Sequence, residues 1–160
     1  MNVVVMSRKY AVTYCEMPHE TESVIISISS PNMLYNSAPF MSEQNKVKDI
    51  LELSMYDADG DGYDVYGTRV YADDLMKDEQ AQAIVDFVRK YEDKRIIVHC
   101  DAGISRSAGV AAAILRSYTG DDSRIFDSAR HAPNMYIYYK VLKAFGYDYT
   151  PDGYGDEAYE

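Results

Sequence analysis

Apolar positions along the chain fall into short β-branched runs separated by stretches of helical spacing. Val3-Val4-Val5 is the first run and predicts a strand. Arg8 to Cys15 reads as a short helix that must end before Pro18. Val24-Ile25-Ile26-Ser27-Ile28 predicts a second strand, closed by the turn residues Ser29-Ser30-Pro31-Asn32. Residues 31–46, with Pro, Asn and Ser, read as a surface connection. Ile50 to Met55 predicts a third strand, which must stop where Gly and Asp dominate, over Tyr56 to Gly62. From near Asp78, the residues Ala81, Ile84, Val85, Val88 and Tyr91 recur on one helical face. Arg95-Ile96-Ile97-Val98 predicts a buried strand running into Cys100. The alanine-rich stretch Gly109 to Leu115 centres a buried helix over 107–118. Asp121 to Arg130 is expected to be helical. Pro133-Asn134 breaks or starts a helix, and Ile137 to Phe145 continues one, with Gly146 as its C′ residue. Strands alternating with helices predict a single α/β domain, a central largely parallel sheet flanked by helices. That domain is expected over residues 1–146, with 147–160 as an acidic, Tyr/Gly-rich, flexible tail.

Composition narrows the class. A chain of 160 residues with 47% hydrophobic content fits one domain with a substantial core. No apolar run approaches membrane-spanning length, and Val3-Val4-Val5 is too short for a signal peptide. Two cysteines, Cys15 and Cys100, cannot build a disulfide framework, and a cytoplasmic location is expected. The net charge of −10 argues against nucleic acid and anionic membrane as partners. The sixteen tyrosines are spread along the chain and read as core and surface residues. Composition says nothing of the oligomeric state.

The chemistry gathers in His99-Cys100-Asp101-Ala102-Gly103-Ile104-Ser105-Arg106-Ser107. These residues form a loop between the end of a strand and the start of a helix, where open α/β sheets bind ligands. Backbone N–H groups of such a loop and of the first helical turn lack intrahelical acceptors, and the helix dipole adds positive charge. The cradle suits a dianion such as a phosphate ester, and Arg106 can add a two-pronged contact. Cys100 at its floor sits in a field that favours the thiolate, the nucleophilic form. Remote repulsion from the acidic chain is screened beyond about 8 Å at physiological salt, so the local field dominates.

Cys100 through Arg106 resembles the Cys-x5-Arg loop of the cysteine-based protein phosphatases, and His99 and Ser107 match its usual flanks. The stretch looks most like the compact dual-specificity branch, with Gly103 at the third variable position and Ser105-Arg106-Ser107 at the end. The resemblance implies a dual-specificity-phosphatase-like fold, no cofactor, Cys100 as nucleophile, and substrate bound by Asp101, Ala102, Gly103, Ile104, Ser105 and Arg106. It implies that His99 holds the loop and that Asn134, after Pro133, braces the active-site region. Ser107 is expected near the sulfur, where its hydroxyl can donate to the departing thiolate. It also suits a helix N-cap. Gly103 lets the backbone approach the phosphate.

Expelling an alkoxide or phenoxide calls for an acid facing the phosphate. In the resembled family this is an Asp just after the strand before the helix leading to the Cys loop. That rule points to Asp57, with Asp59 next and Asp73, Asp74 and Asp78 still open. The stretch from Tyr63 to Leu75 makes the spacing longer than compact members usually show. Asp57, Asp59, Asp61 and Gly62 also fit positions of an EF-hand loop, but Thr68 stands where its bidentate Glu belongs. No metal is expected in the reaction. A weak, non-EF Ca²⁺ site on this acidic loop would compete with the role of Asp57. His19 with Glu20 and Glu22 reads as a solvated loop rather than a metal site.

The variable positions Asp101, Ala102, Ile104 and Ser105 include no base, unlike relatives that act on inositol phospholipids. The loop lacks the Asn-Arg-Thr pattern of RNA 5′-triphosphatase relatives. The expected substrate is a phosphorylated protein or small phosphomonoester, phosphotyrosine first, with phosphoserine and phosphothreonine open. Two rivals remain. One is a phosphate-binding pseudophosphatase module with no acid in place. The other is a different thiolate enzyme, a sulfurtransferase or arsenate reductase, in which Cys15 would serve as the second thiol. Cys15 reads more simply as a buried small hydrophobe.

Overall fold

Four parallel strands build the sheet: β1 (Val3–Ser7), β2 (Ser23–Ser29), β3 (Val47–Ser54) and β4 (Arg95–Cys100), in the spatial order β1-β4-β2-β3. The computed structural model describes residues 1–31, 33–58, 62–64 and 67–147. Among the described residues five α-helices, α1 (Arg8–Cys15), α2 (Asp78–Lys90), α3 (Arg106–Thr119), α4 (Ser123–Phe126) and α5 (Met135–Ala144), and a 3₁₀ turn over Ala72–Asp74 accompany the strands. The expected α/β domain with a parallel sheet is what these residues form.

Central strands of such a sheet are apolar on both faces because helices cover both. In β2 and β4 the alternation is plain. Val24, Ile26, Ile28, Ile96 and Val98 join the main core with residues of α2, α3 and α5. Ile25 and Ile97 point the other way, into a small cluster with Cys15 of α1 and Val47. In α2, Ala81, Ile84, Val85 and Val88 are buried as their spacing predicts. Tyr91 ends the helix half-buried, its hydroxyl donating to Asp49 Oδ2 at 2.6 Å. Every residue of α3 from Arg106 to Leu115 is buried, between sheet and α5. Small side chains permit this: a Cβ on Gly109 would lie 2.7 Å from the carbonyl oxygen of Asn134.

Two elements differ from the sequence expectation. β3 begins at Val47 rather than Ile50. The reason is Asn45, a buried side chain that donates to the carbonyls of Cys15 and Phe40 and accepts from the Val47 amide, fixing the end of the preceding connection. The helix expected over 121–130 shrinks to Ser123–Phe126. Beyond it the backbone donates outward: Ala132 N–H to the Ile104 carbonyl at 2.9 Å and Asn134 N–H to the Ser105 carbonyl at 3.0 Å. Both amides lie past the expected helix end at Arg130, and pinning them to the Cys loop draws the chain out of the helix before it reaches them. α5 then starts two residues earlier than expected, capped by Asn134 Oδ1 on the Ile137 amide, and Gly146 follows its end with φ 104° as a C′ residue. Of the tail expected over 147–160, Tyr147 donates from its N–H to the Leu142 carbonyl and from its hydroxyl to the Arg116 carbonyl, and 148–160 lie outside the described residues. Among the described residues no helix is long and apolar enough to cross a membrane.

β1 and β4 are neighbours, with Ser7 opposite Cys100. The chain leaves β1 into α1 on one face and β4 into α3 on the other. This switch point opens a crevice beyond the strand ends.

Candidate active site

Cys100 is the last residue of β4 and lies 2% exposed beneath the start of α3. Its sulfur is 3.1 Å from the hydroxyl of Ser107. Ser107 is inside the first turn of α3, so it is not the N-cap; Ser105 holds that position and makes no capping bond. The N–H groups of the first α3 turn have no intrahelical acceptor, which suits a helix N-terminus to an anion.

Rigidity of the loop comes from its neighbours. Gly103 has φ +71°, and a Cβ there would meet Met6 C and Ser7 N at 2.6 Å. The loop therefore rests directly on the backbone of β1, which only glycine allows. Arg8 N–H donates to the Asp101 carbonyl at 3.2 Å. The His99 ring is fully buried, with Nδ1 3.1 Å from the Cys100 carbonyl and Nε2 2.6 Å from Ser27 Oγ. Burial lowers its pKa to about 4, so the ring is neutral near pH 7. A carbonyl only accepts, so Nδ1 carries the proton and Nε2 accepts from the Ser27 hydroxyl.

Arg106 is 4% exposed. Its Nη1 donates to Ser30 Oγ and to the Met55 carbonyl, each at 2.9 Å, and its Nη2 donates to Asp101 Oδ2 at 2.8 Å. Burial works against its charge, but Cys100, Asp101 and Asp57 outweigh that and hold the guanidinium firmly protonated. Nε is buried with no partner. Of the loop side chains expected to meet substrate, Ala102 and Ile104 are exposed at the rim. Asp101 is turned toward Arg106, and Ser105 toward Asp57.

Asp57 and Arg106 share one cleft of about 320 Å³, lined also by Ser30, Met33, Tyr56, Asp64 and Thr68. Oδ1 of Asp57 accepts from the Ser105 hydroxyl and from Asn134 Nδ2, both at 2.8 Å. Among the described residues Oδ2 has no protein partner. Asn134 also donates to the Ala58 carbonyl at 3.1 Å. Its bracing thus acts on the Asp57 loop as well as on the Cys loop. The other acids stand elsewhere. Asp74 accepts from the Tyr71 amide, Asp78 pairs with Lys140 at 2.9 Å, and neither these nor Asp73 line the cleft. Asp59 lies outside the described residues, as does Asp61, so the calcium expectation falls there too.

The family model described as the Rit1 DUSP-like domain matches residues 73–138, less than half of the chain. That span holds α2, β4, the Cys loop, α3 and Asn134, and leaves out Asp57. No curated protein matches. Among solved structures, human tyrosine phosphatase-like serine/threonine/tyrosine-interacting protein is similar at TM-score 0.57 and 15% identity, over 89% of each chain. Human DUSP28 matches at TM-score 0.54 and 19% identity, covering 89% of this chain and 90% of its own. PTPMT1 in complex with PI(5)P matches at TM-score 0.55 and 16% identity, over 90% of each chain. The chain has the dual-specificity phosphatase fold.

Within that fold the two cysteines are on opposite faces of the sheet, Cys100 in the main core and Cys15 in the small cluster under α1. Burial pushes the Cys15 thiol up, away from the reactive form. Neither feature suits a resolving thiol. Among the described residues no group of three or more His, Cys, Asp or Glu could hold a metal. His19 stacks on Tyr14, with ring centroids 3.6 Å apart, and Nε2 is 2.7 Å from the Tyr14 carbonyl. Sequence reasoning gives no role to Ser27, Ser30 or Arg8. Ser27 breaks the apolar run of β2 and Ser30 directly follows the strand, at its end nearest the crevice, and that was the available signal for them.

Proposed function

We propose that this chain is a cysteine-dependent phosphomonoesterase that hydrolyses phosphotyrosine and, in the same shallow cleft, phosphoserine and phosphothreonine of protein substrates. The observation that carries the reading is convergence. Cys100 and Ser107 form a bonded pair, Arg106 keeps an unpartnered buried Nε, and Asp57 shares its cleft. The Cys100 thiolate attacks phosphorus; the S–P bond forms as the bond to the ester oxygen breaks. Asp57 gives its proton to the departing oxygen. Loop amides and Arg106 stabilise charge on the equatorial oxygens. Water then attacks the cysteinyl phosphate, passing a proton to Asp57, and sulfur leaves as thiolate toward the Ser107 hydroxyl. The steps need no metal or cofactor.

Residues 1–146 form the phosphatase unit, with 147–160 as an appended acidic tail, in a reducing, cytoplasmic setting. PTPMT1 of the same fold was solved with PI(5)P. Here a Cys loop without lysine at its variable positions and a net charge of −10 favour phosphoprotein over an anionic lipid surface.

The test is release of phenol from aryl phosphates and of phosphate from phosphotyrosine, phosphoserine and phosphothreonine peptides. Cys100→Ser should abolish turnover. Asp57→Asn should lower kcat by about 10²–10⁴ for a leaving group of high pKa, and less for p-nitrophenol. Phosphate binding by a wild-type protein without turnover would favour the pseudophosphatase module. Activity retained by Cys100→Ser would overturn the mechanism.

A further inference from the structure

Asp101 directly follows the nucleophile and carries the Cys loop's only carboxylate. An acid beside a cradle for a dianion should oppose its ligand, unless it faces something else. Its Oδ2 accepts from Arg106 Nη2 at 2.8 Å and from the Ser30 hydroxyl at 3.0 Å, and Ser30 Oγ accepts from Arg106 Nη1 at 2.9 Å. The three contacts close a ring on the Nη1/Nη2 edge of the guanidinium. The Met55 carbonyl takes the remaining Nη1 proton. What is left is the other edge, Nε–H with the second Nη2–H, and Nε is buried without a partner. That edge is the parallel two-donor fork that fits two phosphate oxygens. Asp101 holds the arginine from behind and leaves its working edge clear.

A second cation stands behind Asp101. Arg8 opens α1, and its Nε lies 3.7 Å from Asp101 Oδ1, with its side chain 11% exposed. Its Nη2 donates to Ser29 Oγ at 2.6 Å, and its guanidinium lies 3.6 Å above the centre of the Tyr35 ring. One carboxylate between two fixed arginines leaves a net positive charge to meet the ligand. Burial pushes the Asp101 carboxyl up, but bonds from Tyr35, Arg106 and Ser30 outweigh it and hold the group below the usual carboxylate range.

We propose that Asp101 and Arg8 are positioning residues for Arg106: a carboxylate held in the field of one arginine, at 3.7 Å and without a hydrogen bond, aims the other at the phosphoryl group. This rests on the phosphatase reading above. Neither residue touches the reacting atoms, so Asp101 belongs to the support of the cradle and not to its substrate contacts.

The test uses the full chain with two probes, sodium tungstate binding by titration calorimetry and p-nitrophenyl phosphate turnover. Wild type should bind tungstate and turn over; if it does neither, the phosphatase reading itself fails. Asp101→Ala should weaken tungstate and lower kcat/KM together, by roughly 10- to 100-fold, the usual cost of losing the support of a ligating group. Alkylation of Cys100 by neutral iodoacetamide should stay near wild type, which a collapsed loop would not allow. Asp101→Glu should recover part of both losses. Arg8→Gln should act in the same direction, and the Arg8→Gln/Asp101→Ala double variant should lose no more than Asp101→Ala alone. If Asp101→Ala does not fold, Asp101→Asn takes its place with the same outcomes. Unchanged or tighter tungstate binding without the carboxylate would overturn the proposal. Fully additive losses would overturn the part given to Arg8.

Discussion

Asn134 Nδ2 donates to Asp57 Oδ1 at 2.8 Å, across 77 residues of chain. The same side chain caps α5 through its oxygen, so one residue ties a helix start to the proposed acid. Two functions on opposite ends of one amide can be separated. Asn134→Ala should cost about 0.5–2 kcal/mol of stability for the cap. It should also lower kcat roughly tenfold for an ester of a poor leaving group, a fraction of what the acid itself contributes. Asn134→Ser keeps a capping oxygen and loses the amide Nδ2 that reaches Asp57. Its urea midpoint should sit near wild type while the kcat defect persists. A Ser variant with full activity would leave Asn134 a capping residue only.

Ser107 Oγ stands 3.1 Å from the nucleophilic sulfur and is fully buried. In the proposed second step the sulfur leaves as an anion, and a hydroxyl at that distance donates to it. Ser107→Ala should slow this step by roughly 10- to 100-fold, the worth of a hydrogen bond to a charged group. The first step is then faster than the second. Rapid mixing with p-nitrophenyl phosphate should give a burst of nitrophenol close to one equivalent, followed by a slow steady rate. The steady rate should be the same for good and poor leaving groups. A loss that tracks leaving-group pKa would move Ser107 to the first step.

The Cys loop was legible because its parts are local. Cys100, Arg106 and Ser107 sit within one strand–loop–helix unit, and its backbone geometry dictates where they meet. The parallel sheet was legible for a similar reason: β2 and β4 are apolar runs too short for helices. Arg8 and Ser30 could not be read this way. They reach Asp101 and Arg106 only because β1 and β2 both flank β4, and sheet order is not written in any one strand. Residues 127–130 were expected to continue the helix that ends at Phe126. Just beyond them the amides of Ala132 and Asn134 serve the Ile104 and Ser105 carbonyls, a tertiary demand with no local signal. Asp57 could be ranked by order along the chain. Its two bonded partners, Ser105 and Asn134, became visible only once α3 and α5 were packed.

Gly103 carries two constraints at once, φ +71° and backbone atoms 2.6 Å from any Cβ. Met6 and Ser7 supply those atoms and cannot rotate away. Gly103→Ala should therefore destabilise by roughly 2–5 kcal/mol, adding left-handed strain to overpacking. Turnover should fall as well, since the loop must lift from β1. Gly120 isolates the first effect: φ is +74° and nothing lies within 4 Å of its Cβ position. Gly120→Ala should cost only about 1 kcal/mol and leave kcat alone. Equal urea midpoints for the two variants would show that the loop does not rest on β1 as tightly as these distances require.

His99 makes the fold acid-labile in a defined window. Burial lowers its folded pKa to about 4, against 6.5 for the free side chain. Between those values the unfolded chain binds a proton that the folded chain refuses, so unfolding gains as pH falls. Above the unfolded value the ring is neutral in both states and costs nothing. Below it, stability should drop by about 1.4 kcal/mol per pH unit, toward a total of about 3 kcal/mol. The Ser27 hydroxyl, donating to Nε2, has no way to stabilise an imidazolium without turning round. Urea denaturation from about pH 7 to about pH 5 should show this slope in wild type. His99→Gln should start less stable and lose that pH dependence. A variant whose midpoints fall in parallel with wild type would place the acid sensitivity on other groups and leave the neutral, Nδ1-protonated ring without support.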